Sequence, residues 1–207
     1  MSEEEAHAWI RDRFGVSREA LLARYAGLLR AEAANQNLIA ASTLDTLWSR
    51  HLVDSAQLVP LATEGPRGAW VDVGSGAGLP GIVIGILLDR PVVLVEPRAR
   101  RVAFLRDVAT QLGLASRVTV QPTKIESFKP TNRAAVISAR AVAELSQLIS
   151  STAHCTDSST VWLLPKGRNA QSEVAAAQAT WQGVFHVEPS ITQPDSGIVV
   201  ARGVRPR

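Results

Sequence analysis

A chain of 207 residues, 46% of them hydrophobic, can build the core of one domain, with room for a helical extension. A single cysteine, Cys155, excludes an internal disulfide, and no apolar run is long enough to span a membrane, since Gly85 to Leu88 is stopped by Asp89-Arg90. The first residues, MSEEEAHAW, are acidic where a secretory leader would be basic, so a soluble cytoplasmic protein with no membrane partner is expected.

The net charge of +3 is unevenly spread. Residues 1–60 carry six Lys/Arg against eight Asp/Glu, and the rest carry sixteen against eleven. In chain order, Ser2 and Glu5 have capping-box spacing and predict a helix to Phe14, broken at Gly15. Ser17 is then expected to cap a second helix, Arg18 to about Ala34, with Leu21, Leu22, Tyr25, Leu28 and Leu29 at helical spacing. After the polar break Asn35-Gln36-Asn37, a third helix is expected over Leu44 to Leu61, its stripe carrying Leu47, Trp48, His51, Leu52, Ser55 and Leu58. Thr63 to Gly68 reads as a short turn. Residues 1–66 therefore read as a helical segment packed on a larger unit, 67–207.

The informative stretch is AWVDVGSGAGLPG, Ala69 to Gly81. An apolar run with Asp72 inside it suits a buried parallel strand. Gly74, Gly76 and Gly78 follow, and then IVIGILL, a helix with Pro80 expected in its first turn. Strand, glycine turn and helix form a place where a ligand can approach the backbone. Two ligands compete. Gly76, Gly78 and Gly81 spell the dinucleotide pattern, but that pattern should begin where the strand ends, at Gly74; from there the third glycine falls on Leu79 and the frame fails. Asp72 and Glu96 repel phosphates and suit an ammonium group and ribose hydroxyls. Glu96 closes the next apolar run 22 residues after Gly74, near the spacing at which an acid meets a ribose. S-adenosylmethionine is the common nucleoside that fits both acids.

Further on, strands are expected at 69–73, 92–96, 117–121, 134–138, 160–164, 184–188 and 197–202, and helices at 79–88, 99–113, 141–153 and 170–179. The alternation predicts a parallel sheet with crossover helices. Only Pro189 to Ser196 separates the last two strands, too little for a crossover, so they should be antiparallel. Gly74, Glu96, Ile125-Glu126 and Arg140 each follow a strand and can converge on one crevice. Four arginines, Arg98, Arg100, Arg101 and Arg106, suggest a polyanionic partner such as RNA, against a solvated helix face. His51 and Asp54, three apart on a helix, can share a face; no further cluster makes them a catalytic or metal site, and a structural hydrogen bond locking the helix to the sheet is expected, with RNA contact as the alternative. The scattered tryptophans read as packing residues.

DVGSGAGLPG, the segment RHLVDS (Arg50 to Ser55) and EPRARRVAFL (Glu96 to Leu105) resemble the bacterial small-subunit rRNA guanine-N7 methyltransferases, the glucose-inhibited division protein B family. ARAVAEL (Ala139 to Leu145) and PKG (Pro165 to Gly167) extend the likeness. The resemblance implies an α/β class I methyltransferase fold: a Rossmann-like, seven-stranded, mostly parallel sheet with a final antiparallel strand behind N-terminal helices. It implies S-adenosylmethionine as donor and N7 of a guanosine in 16S rRNA, position 527 in rRNA numbering, as acceptor, on naked rRNA, an assembly intermediate or the 30S subunit. By the resemblance, cofactor contacts would fall on Gly74, Leu79, the backbone around Ile125 and Glu126, and Arg140, with Glu96 taking the ribose; the reading of the glycine loop itself adds Asp72, Gly76 and Gly78. Arg140 would also position the substrate, and Arg98, Arg100, Arg101, Arg106, Lys124 and Lys166 would meet RNA. Arg100 stands where the family often has Lys, Lys124 where Arg is expected, and Ala139 where Ser is usual. No metal and no general base are expected, because N7 carries a lone pair and no proton. The competing readings are an NAD(P)-dependent oxidoreductase, which lacks a Tyr-x-x-x-Lys pair here, a methyltransferase of this class acting on another RNA, and a non-catalytic RNA-binding module, against which the intact glycine loop argues.

Overall fold

The structure, a computed structural model, describes residues 1–62 and 67–207; four of the six residues of the turn expected at Thr63 to Gly68 lie outside them. Helix α1 (Glu3–Phe14) opens on the expected capping box: the Glu5 N–H donates to Ser2 Oγ at 3.1 Å, and the Ser2 N–H donates to Glu5 Oε2 at 2.7 Å. Helix α2 (Val16–Glu32) follows without a side-chain cap. Gly15 ends one helix and begins the next, which leaves Ser17 inside the first turn instead of capping it. Leu22, Tyr25 and Leu29 are fully buried, with Leu21 and Leu28 packed at the margin.

The third helix is broken where one continuous helix was expected. A 3-10 turn (Ala41–Thr43) precedes a π-helical turn (Trp48–Val53), then α3 (Asp54–Ala56) and α4 (Leu58–Leu61). Two causes are local. The Glu3 carboxylate of α1 accepts from the N–H groups of Trp48 and Ser49, at 3.0 and 2.9 Å, and so starts the π turn from outside. Pro60 has no N–H for the Ala56 carbonyl, and the ladder is interrupted at Gln57.

The sheet comprises β1 (Trp70–Val73), β2 (Val92–Val95), β3 (Val118–Gln121), β4 (Val136–Ala139), β5 (Val161–Gly167), β6 (Trp181–Pro189) and β7 (Gly197–Pro206). Its order is β3-β2-β1-β4-β5-β7-β6. The first five are parallel neighbours; β7 slots antiparallel between β5 and β6. The crossovers are α5 (Gly81–Leu87), α6 (Ala99–Gln111), α7 (Leu145–Thr152) and α8 (Ala170–Ala177). Pro80 is the N-cap of α5 and so stands one residue before the first turn in which it was expected; its carbonyl accepts from the Ile84 N–H.

Strand alternation sends Trp70 and Asp72 to one face and Val71 and Val73 to the other. The first face carries α1, α2, α5 and α6; the second carries α7 and α8. The N-terminal helices share one continuous core with the sheet. Trp48, Trp70 and Trp162 are buried core residues, and Trp9 and Trp181 are half-buried. Cys155 is buried, and burial pushes its thiol up to about 11, which keeps it an unreactive packing group. Among the described residues no helix is long and apolar enough to cross a membrane.

Candidate active site

Strand order reverses between β1 and β4, so the crevice beyond their carboxyl ends is the topological switch point. Two clefts open there. One, of about 580 Å³, is lined by the glycine turn, Glu96, Ile125, Glu126 and the loop after β4. The other, of about 740 Å³, is lined by Arg50, His51 and Asp54 on one side and by Lys166, Asn169 and Gln193 on the other. They share Leu38 and Arg140 to Val142. Arg140 to Val142 therefore forms a wall with a cleft on either side.

In the first cleft the turn Gly74 to Leu79 is held by its own backbone. The Gly74 N–H donates to the Val95 carbonyl at 2.8 Å, and the Gly78 N–H to the Ser75 carbonyl at 2.7 Å. Gly74 has φ +66°, and a Cβ there would stand 2.8 Å from Val142 Cγ2. The absent side chain is what leaves room between the two loops. Glu96 is 2% exposed. Its Oε2 accepts from the Gly76 N–H and its Oε1 from the Arg98 N–H, both at 2.9 Å. Those charge-assisted bonds aim the carboxylate along the cleft floor. Lys124 and Glu126 are exposed at the mouth, and Ile125 is a buried wall.

Asp72 does not line this cleft. It is fully buried behind the turn, where Oδ2 accepts from the Gly81 N–H at 3.2 Å and Oδ1 from the Ser138 hydroxyl at 2.7 Å. Ser138 in turn accepts from the Trp70 indole N–H. Burial pushes the Asp72 carboxyl up to about 6 against those bonds. Its place is to tie β1, β4 and α5 together. Gly78 also faces the interior, against Ile82, Leu105 and Tyr25. Gly76 and Leu79 line the cleft.

No helix opens directly after Arg140, where one was expected over 141–153; α7 starts at Leu145. Ala141 takes φ +55°, a left-handed conformation that costs a non-glycine residue about 1–2 kcal/mol. Two contacts over-determine the loop. The Glu173 carboxylate of α8 accepts from the Leu145 N–H, and Lys166 donates to the Ala143 carbonyl while pairing with Glu173 at 2.8 Å. Strain of this kind gathers at functional sites. Lys166 is thereby a buried strut of the loop, with its side chain 8% exposed.

The four arginines separate. Arg100 donates to the Asn35 carbonyl at 2.7 Å, and Arg101 lies between the Asn37 carbonyl (3.5 Å) and Glu96 (3.9 Å). Both hold the N-terminal segment against α6. Arg98 and Arg106 are exposed, and Arg98 is on the cleft rim. Sequence reasoning missed Leu38, Thr43, Val142 and Thr192; only Leu38, just beyond the Asn-rich break, had a local signal. Among the described residues no group of three or more His, Cys, Asp or Glu could hold a metal.

A parallel sheet with β7 inserted antiparallel, a glycine turn after β1 and an acid after β2 define a class I S-adenosylmethionine-dependent methyltransferase. The solved structure of MtNAS in complex with S-adenosylmethionine shares the fold, with a TM-score of 0.58 at 19% identity over 98% of this chain and 84% of that one. The sequence profile of rRNA small subunit methyltransferase G matches residues 18–195. The Ribosomal RNA small subunit methyltransferase G of Rhizorhabdus wittichii is 46% identical over 100% of this chain and 95% of its own length; that of Sphingopyxis alaskensis is 49% identical over 97% and 86%. The chain belongs to the rRNA small subunit methyltransferase G family.

Proposed function

We propose that the protein methylates N7 of guanosine 527 of 16S rRNA, with S-adenosylmethionine in the glycine-turn cleft and the acceptor base in the larger one. The observation that carries this reading is the shared wall, Arg140 to Val142, which brings the two clefts into contact. The first cleft fits the donor: a backbone that permits close approach at Gly74, a buried carboxylate at Glu96 for ribose hydroxyls, and a volume within the range of small-molecule sites. S-adenosylmethionine bound there supplies a methyl group on a positively charged sulfur.

The acceptor side needs no proton acceptor. N7 of guanine carries a lone pair and no proton, so accepting a methyl group there would leave a cationic base with no proton to remove. His51 is the ring beside the wall, and its Nδ1 already faces Arg140. The residues therefore orient instead of exchanging protons, and orientation alone is worth roughly 7–11 kcal/mol in such reactions. An unstacked guanine entering the larger cleft would meet Arg50, Arg140 and Asn169. The substrate is rRNA, naked, within an assembly intermediate or within the 30S subunit, in the cytoplasm. Residues 1–66 and 67–207 act as one unit, a reading supported by the core that residues 1–62 share with the sheet.

Treating 16S rRNA from a methylation-deficient strain with enzyme and S-adenosylmethionine should create one site that borohydride and aniline cleave, seen as one new primer-extension stop. Methyl incorporation at another atom or in another RNA would overturn the assignment. Calorimetry should show S-adenosylmethionine and S-adenosylhomocysteine binding and NAD silent.

RNA affinity should be salt-dependent. Replacing the exposed Arg98 and Arg106 with alanine should lower the slope of log K against log salt by about 2, about 1 per phosphate contact. Replacing Arg100 and Arg101, which are bonded within the protein, should show mainly as a lower melting temperature. An unchanged slope in the first pair would make those residues solvated helix surface.

A further inference from the structure

The chemistry-bearing group at the wall is Arg140, and the chain holds it from a distance. Its Nη1 donates to His51 Nδ1 at 3.1 Å and to Asp54 Oδ2 at 3.4 Å. These partners lie 89 and 86 residues earlier, on the π-helical turn and at the start of α3. Each partner is itself fixed. Thr43 Oγ1 donates to the Ala40 carbonyl at 2.7 Å, so toward His51 Nε2, also at 2.7 Å, it can only accept. His51 therefore carries its proton on Nε2 and presents a bare Nδ1 to the guanidinium. Burial, and then the charges of Arg140 and Arg50, push the imidazole down to about 4, so the neutral ring is the form present near pH 7. Asp54 Oδ1 accepts from Gln57 Nε2 and from the Thr192 hydroxyl, both at 2.9 Å, which leaves Oδ2 turned to Arg140.

We propose that His51 and Asp54 are positioning residues for methyl transfer: as a pair of acceptors anchored by Thr43, Gln57 and Thr192, they set the Arg140 guanidinium at the wall between the two clefts. The inference rests on the reading of those clefts as donor and acceptor sites. One acceptor would leave the guanidinium free to turn about a single bond. Two acceptors from different turns fix its plane and keep its remaining N–H groups available to a base oxygen or a phosphate. The same link explains why the N-terminal helices are built into the catalytic unit: they supply the holder for a residue on β4's loop. It also joins the loop between β6 and β7 to the site through Thr192, so the far end of the chain contributes to the same geometry.

The test pairs two amides at one position. In His51→Asn the side-chain oxygen stands near the place of Nδ1 and can accept from Arg140. In His51→Gln the amide reaches toward the place of Nε2 and serves Thr43 instead. Losing a charge-assisted acceptor should lower kcat about tenfold to hundredfold in His51→Gln, with S-adenosylmethionine affinity unchanged, while His51→Asn stays within about threefold of wild type. Asp54→Asn, which turns an amide donor toward the guanidinium, should behave like His51→Gln. Equal loss in both His51 amides that tracks a fall in melting temperature, or no loss in either, would overturn the proposal. An independent readout needs no substrate: long-range proton–nitrogen NMR of the free protein should show His51 as the Nε2–H tautomer. An Nδ1–H tautomer would overturn the proposal directly. If wild-type enzyme transfers no methyl to rRNA, the proposed function fails, and the tautomer still decides whether His51 holds Arg140.

Discussion

Gly74→Val is expected to abolish S-adenosylmethionine binding while the protein remains folded. Gly74 sits at φ +66°, and the first carbon of any side chain there would stand 2.8 Å from Val142 Cγ2. A left-handed conformation costs a substituted residue about 1–2 kcal/mol, and a forced overlap about 1–3 kcal/mol more. Val142 is 45% exposed and can swing away, so the fold survives. The space it swings into, and the space the new side chain fills, are the cleft itself. Affinity should fall at least hundredfold by calorimetry, with a cooperative melt retained. The neighbouring glycines make the control. A Cβ at Gly78 would be 2.5 Å from Ile82 Cγ1, and one at Gly81 would be 2.2 Å from Leu94 Cδ2. Both face the core, so valine at either should cost the fold first. Wild-type affinity in Gly74→Val would mean that the donor binds elsewhere.

Arg140→Ala should lower turnover by about a hundredfold to a thousandfold, with donor affinity much less changed. The residue lines both clefts, and its guanidinium is held by His51 and Asp54. Misplacing a reacting partner by about 1 Å can cost about 10²-fold, and the lost hydrogen bonds to the base or its phosphate add to that. The variant should fold, because Asp54 keeps Gln57 and Thr192 as donors and is not left bare. Arg140→Lys should recover little, since an ammonium has no planar fork to share between two acceptors and a substrate. Rapid-quench measurement of the methylated product separates the chemical step from release. Full activity in Arg140→Ala would remove the role given to this residue and leave the methyltransferase assignment standing.

The relation between sequence and structure divides by range of interaction. Local patterns carried far. Ser2 with Glu5 specifies a capping box by spacing alone, and the alternation of apolar runs after residue 69 specifies seven strands in chain order. The brief link before β7 dictates an antiparallel partner, because no helix fits in it. The glycine turn and the acid after β2 were legible as the two sides of one cleft, since each reading depends only on strand, turn and spacing. Combined with RHLVDS, they specify the family.

Tertiary structure decided which charges are free and which are spent. Asp72 and Glu96 look alike in sequence, each within or at the end of an apolar run; strand alternation and α5 turn the first inward to Gly81 and Ser138 and leave the second in the cleft. Arg98, Arg100, Arg101 and Arg106 form one cluster on paper, yet Arg100 and Arg101 are used up by the Asn35 to Asn37 segment. The continuous third helix gave way to a π turn because Glu3, 45 and 46 residues away, supplies its first acceptor. Arg140 acquires its orientation from His51 and Asp54, and these in turn from Thr43 and Thr192. The residues themselves determine strand, helix and turn through short-range sterics and hydrogen bonding. Where a long polar side chain finds its partner depends on which segments the sheet order brings together, and that order is settled only when the whole core closes.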